Sequence, residues 1–70
     1  MINKEWEEGF KAGYDWCKWL SGQPKGTVSQ FFPNKEGVHR NGFAEGTISG
    51  GHQFNVSWKF TGNGNEVEKS

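Results

Sequence analysis

Between residues 52 and 60 the chain reads HQFNVSWKF, in which His52, Phe54, Val56, Trp58 and Phe60 alternate with Gln53, Asn55, Ser57 and Lys59. Successive side chains of a strand point to opposite faces, so a strand here presents one ring-rich wall and one polar wall. Such a wall is either a core seam or a stacking platform. In a chain of 70 residues it must be covered within one small domain that has little room for a deep enclosed pocket.

The cover is legible at residues 4–21. At about 100° per residue, Ile2, Phe10, Gly13, Cys17 and Leu20 fall within about 40° of Trp6, which makes one apolar helical face. Asn3 is placed to cap the N-terminus, Glu5, Glu7 and Glu8 suit the positive end of the dipole, and Gly22 followed by Pro24 stops the helix. Gly9 and Gly13 each cost about 1 kcal/mol against Ala in a helix, so their presence predicts close approach of another group, such as a ring from the sheet.

From Lys25 onward the period changes to two. Thr27–Phe32 reads as a strand, Pro33–Gly37 as a turn, and Asn41-Gly42 as a hairpin between Val38–Arg40 and Phe43–Ser49. A loop over Ser49–Gly51 sets Ile48 opposite His52, Gly46 opposite Phe54 and Ala44 opposite Val56. The expected fold class is therefore α+β: one N-terminal helix packed, through Trp6, Phe10 and Cys17, on a small antiparallel β-meander of three to four strands bearing Phe54, Val56 and Trp58. Residues 1–62 form the single domain in this reading, and 63–70, with two Asn, one Gly-Asn step and no apolar run, form a flexible tail.

Composition narrows the function. Only 31% of residues are hydrophobic while 16% are aromatic, so a few rings supply most of the buried area. Lys plus Arg number 8 and Asp plus Glu number 8, which leaves no net field to attract a polyanion. Cys17 is the only cysteine, so an intrachain disulfide and a thiolate metal cluster are both ruled out and a reducing, cytoplasmic setting is expected. No apolar run reaches membrane-span length. His39 and His52 have no second ligand at metal-binding spacing, and GTISGG lacks the strand-loop-helix setting of a phosphate cradle. Neither a catalytic set, a metal site nor a cofactor is expected.

One stretch resembles a known family. KGTVSQFFPNKEG, residues 25–37, is similar to the opening strands of cold-shock domains, in which strand aromatics stack on single-stranded bases. The likeness covers about a fifth of the chain. VHRNGFAEG stands where that family has a second aromatic strand, a long helix precedes the match, and too few residues follow for a five-stranded barrel. No binding residue is carried over from it. In its economy the chain also resembles the small accessory proteins of bacteriophages, many of which bind and inhibit a host protein.

The expected function is a non-catalytic module that binds another protein through exposed aromatics and a free sheet edge, with Trp19, Phe43, Trp16, Asn41 and Arg40 as its surface. Trp19 is turned about 140° from Trp6 by helical phase, and strand register sets Phe43 opposite the core face. The alternative is a single-stranded nucleic-acid or nucleotide binder using Phe31, Phe43 and His39 with Lys25, Lys35 and Arg40. Self-association, most simply as a two-fold dimer, is a further expectation.

Overall fold

A computed structural model describes residues 3–31 and 36–70. Ile2, Phe32, Lys35 and most of the expected Pro33–Gly37 turn lie outside the described residues. The elements run α1 (Lys4–Ser21), β1 (Val28–Gln30), α2 (Val38–Phe54), β2 (Trp58–Phe60) and β3 (Glu66–Lys69), an α+β arrangement with a three-stranded antiparallel sheet of order β1-β3-β2. The fold class is as the sequence predicts, but a second helix occupies the ground expected for a hairpin.

α1 forms as its pattern requires. The Asn3 side chain accepts hydrogen bonds from the amides of Glu5 (2.9 Å) and Trp6 (3.2 Å), and Gly22 closes the C-terminus. Gly9, Gly13, Cys17 and Leu20 are its buried stripe.

α2 corrects the reading of residues 38–54. Asn41-Gly42 and Gly50-Gly51 are not turns; Gly42, Gly46 and Gly50 recur every four residues and form one bare stripe along a helix. Its propensity is poor, since each of these glycines costs about 1 kcal/mol relative to Ala. What offsets the cost is the neighbouring backbone. A Cβ built on Gly46 would lie 2.1 Å from the Phe10 carbonyl oxygen, one on Gly42 2.0 Å from that of Trp6, and one on Gly9 1.9 Å from that of His39. Gly13 faces Phe43 and Thr47, and Gly50 faces Cys17. The two helices thus meet backbone to backbone, and it is this helix, not a sheet ring, that fills the groove at Gly9 and Gly13.

The order of these contacts fixes direction: numbers rise together from Gly9 against His39 to Cys17 against Gly50, so α1 and α2 are parallel. Parallel helices need a return path, and β1 is the regular part of it. Asn55, in the left-handed conformation (φ 51°) that Asn tolerates, then ends α2, its amide donating to Gly51 and His52 carbonyls. The alternation in HQFNVSWKF is therefore split: His52–Phe54 is the last turn of α2, and only Trp58–Phe60 is strand.

The segment for which composition predicts a tail supplies the central strand. β3 pairs Val67 with Ser29 on one side and Phe60 on the other, and Val67 is fully buried while Glu66 and Glu68 point to the opposite face. Lys69 Nζ donates to the Ser21 and Gln23 carbonyls, which secures the C-terminal end of α1 to the sheet.

Cys17, Leu20 and Val56 form the closed core, with Trp16, Phe54 and Trp58 packed against it. Trp6 and Phe10 do not reach the sheet. They stack with each other (5.3 Å between centroids), Phe10 stacks with Tyr14 (6.2 Å) along the far flank of α1, and Tyr14 meets Phe54 edge-on at 5.1 Å.

The helix seam makes opposite predictions for one substitution. Gly46→Ala is expected to cost about 3 kcal/mol or more, because its methyl group can be accommodated only by parting the helices. Gly22→Ala, at φ −86° with its nearest atom 3.6 Å away, is expected to be neutral or stabilising by about 0.5 kcal/mol. Urea midpoints of the two variants check both signs.

Candidate binding groove beside strand β2

Helices and sheet are joined by one ring cluster with Phe31 at its centre. Phe31 meets Trp16 at 5.2 Å, Phe43 at 5.3 Å, Phe60 at 5.5 Å and Trp58 at 5.9 Å between ring centroids, mostly edge to face. Trp16 Nε1 donates to Ser29 Oγ (3.0 Å), which places α1 over β1. Gly51 lies against the Trp58 ring, which places α2 over β2.

This packing redistributes the expected partner surface. Trp19 lies exposed on α1, as its phase predicts, at 47% of its full accessibility. Phe43 is buried, at 6%, because it sits on a helix facing Phe31 and not on the outer face of a strand; its assignment as an exposed anchor is corrected. Trp16 is half-buried in the ring cluster, and Asn41 and Arg40 are exposed on different sides of α2. These five residues do not share one surface.

Of the alternative set, Phe31, Phe43 and Arg40 converge. They line a cleft of about 290 Å³ with Glu36, Ala44, Phe60 and Asn65. His39 is elsewhere: it is 4% exposed on the α1-facing side of α2, and its buried Nδ1 has no hydrogen-bond partner among the described residues. Lys25 is exposed beyond the other end of β1. Among the described residues the outward sheet face carries Val28, Gln30, Lys59, Glu66 and Glu68, which present no aromatic platform and two carboxylates.

A second depression, shallower and about 380 Å³, is lined by Thr47, Ile48, Gly51, His52, Val56, Ser57 and Trp58. Arg40, Ala44, Thr47 and Gly51 are spaced by four, three and four, so they share one flank of α2. The two depressions therefore succeed each other between that flank and β2, the cleft at Phe60 and the shallow one at Trp58. Ile48 and Phe60 on their rims are each 58% exposed.

The adjoining edge of β2 is unpaired, since β3 is its only neighbour among the described residues. The Ser70 amide donates to the Ser57 carbonyl and the Thr61 amide to the Glu66 carbonyl, both within 3.1 Å. Odd-numbered residues thus bond to β3, and the N–H and C=O of Trp58 and Phe60 point outward. Sequence reasoning missed this edge because it paired residues 52–60 with 43–49.

Among the described residues no three of His, Cys, Asp and Glu converge on a point, and no helix is long and apolar enough to cross a membrane. Cys17, fully buried, donates Sγ–H to the Thr47 carbonyl at 3.4 Å, and burial pushes its pKa up to about 11. Comparison with known proteins finds no matching family model, no matching curated protein and no matching solved structure.

The raised pKa of Cys17 has a signed consequence. Below about pH 9 the thiol is neutral whether the chain is folded or not; between about 9 and 11 it ionises more readily in the unfolded chain, so folding loses stability as pH rises through that window. Cys17→Ser, which keeps a donor for Thr47, is expected to lack this fall. Urea titrations of both proteins from pH 8 to 11 measure the difference.

Proposed function

We propose that the chain is a non-catalytic binding module that receives an extended segment of another protein on the open edge of β2, between that strand and α2. One observation carries the reading. The only two residues of β2 whose peptide groups point outward, Trp58 and Phe60, are also the two whose side chains border the depressions on the α2 flank. A strand laid along this edge gains main-chain hydrogen bonds from β2, and alternate side chains enter the depressions, which is how strand addition combines affinity with specificity.

Size and composition support the same reading. A three-residue edge strand is too short to bind by its backbone alone, so the apolar rims, Ile48 and Phe60, contribute the contact area. Such a module acts by occupying its partner, as an accessory or inhibitory protein does. A stacking platform for nucleic-acid bases has less support, because Phe43 is buried and Phe31 is engaged edge to face with other rings.

Panning a display library of random linear heptapeptides on the purified protein tests the proposal. Selected peptides are expected to slow hydrogen exchange at the Trp58 and Phe60 amides. Phe60→Pro removes an outward N–H and a rim ring without removing a bond to β3, and is expected to weaken binding by at least about tenfold. Phe60→Ala, which keeps the N–H, is expected to fall between this variant and the parent. Trp19→Ala, on the other exposed surface, is expected to bind within about twofold of the parent. Absence of any selected peptide, or equal binding by the parent and a folded Phe60→Pro protein, overturns the reading.

A further inference from the structure

Resting on that reading, we infer that the segment received by β2 carries an apolar–acidic–apolar triplet, with its acidic residue directly opposite Lys59. Alternation along β2 dictates the order. Trp58 and Phe60 face the helices while Lys59 faces the outer side, so a paired segment presents its first and third residues to the depressions and its second to Lys59.

The chemistry of each position follows from its surroundings. The cleft beside Phe60 has walls of Phe31, Phe43 and Ala44, and the single positive charge of Arg40 is offset by the negative charge of Glu36. It therefore favours an uncharged side chain whose apolar body lies against the rings, Asn65 being the other polar group on the lining. The depression beside Trp58 is lined by Ile48, Val56, Gly51 and the Trp58 ring, and again suits an apolar group. The middle position differs. On the outer face Val28, Glu68 and Lys59 lie in one row across β1, β3 and β2, so the next place in the row lies beside a cation at the edge. Residues 58 and 60 form the hydrogen-bonded pairs, so the residue opposite Lys59 is in a non-hydrogen-bonded pair, where side chains come closest. A carboxylate there continues the alternation of charge begun by Glu68 and Lys59.

The same geometry selects a different chain over a second copy of this one. Two β2 edges paired so that all four outward-pointing residues are used set Trp58 against Phe60 and Lys59 against Lys59. Like charges at the closest pair position oppose that dimer, and an edge lysine is a common device against self-pairing.

The test uses the selected heptapeptides. Aligned sequences are expected to show Asp or Glu between two apolar residues, and replacing that residue by Lys is expected to weaken binding to the parent by about threefold or more. Lys59→Glu is expected to reverse the order, binding the Lys peptide better than the acidic one. Peptides that bind at the edge, as judged by loss with Phe60→Pro, but show no acidic preference and no reversal, overturn this inference and leave strand addition standing. Peptides indifferent to Phe60→Pro overturn both. Sedimentation of the parent as a dimer that Phe60→Pro dissociates assigns the edge to a second copy and overturns the inference as well.

Discussion

The contact of α1 with α2 through bare backbone is the constraint on which the rest of the molecule depends. At Gly9, Gly42 and Gly46 the opposing helix carbonyls stand where a Cβ would be, within 2.1 Å. No side chain can be interposed, so backbone sets the separation here in place of the side chains that hold most helix pairs about 8–10 Å apart. Close approach has two effects. It exchanges poor helix propensity for dense backbone packing, and it leaves the larger side chains to spread to either flank of the seam. On one flank Trp16 and Phe43 reach the sheet through Phe31; on the other Trp6, Phe10 and Tyr14 form a ladder of their own.

The parallel course of the helices decides where the strands go. The return from α1 to α2 places β1 under α1, and the sharp reversal at Asn55 brings β2 back beneath α2. β3 then fills the space between them, bonded on both sides and bearing the fully buried Val67. With only three short strands among the described residues, none of these residues pairs with either outer edge. Of the two, β2 is the edge flanked by depressions, because the α2 surface above it carries small residues, Ala44 and Gly51, where bulkier ones would close the gap. The candidate groove is thus a consequence of the same use of small residues that joins the helices.

The first helix was legible in the sequence because its signals agree. Asn3 caps it, the apolar residues recur at helical spacing, and Gly22 ends it, each acting within a few residues. The second helix was not legible because its local signals conflict with its fold. Asn41-Gly42 and Gly50-Gly51 are strong turn signatures in isolation, and VHRNGFAEGTISGG has no clear apolar face, since the residues it buries are Gly42, Gly46 and Gly50 beside His39, Phe43 and Thr47. Reading those glycines as turns displaced Phe43 to an exposed strand and set residues 52–60 beside 43–49 instead of beside β3. The site residues followed the same rule: Trp19 depended on α1 phase alone and is exposed, whereas Phe43 depended on a strand register that does not exist.

By itself the sequence determined the α+β class, α1 with its cap and buried Gly9, Gly13, Cys17 and Leu20, the strand at β1 and the inward set of Trp58 against the outward set of Lys59. All of these rest on periodicity and capping, which act between neighbours along the chain. Tertiary structure alone decided that residues 38–54 are helical, that Glu66–Lys69 is the central strand, and that the edge of β2 stands open beside α2. The physical reason is common to all three. A glycine stripe gains its stability only from a second backbone pressed against it, and a four-residue strand only from partners on both sides, so neither carries its own evidence in the order of its residues.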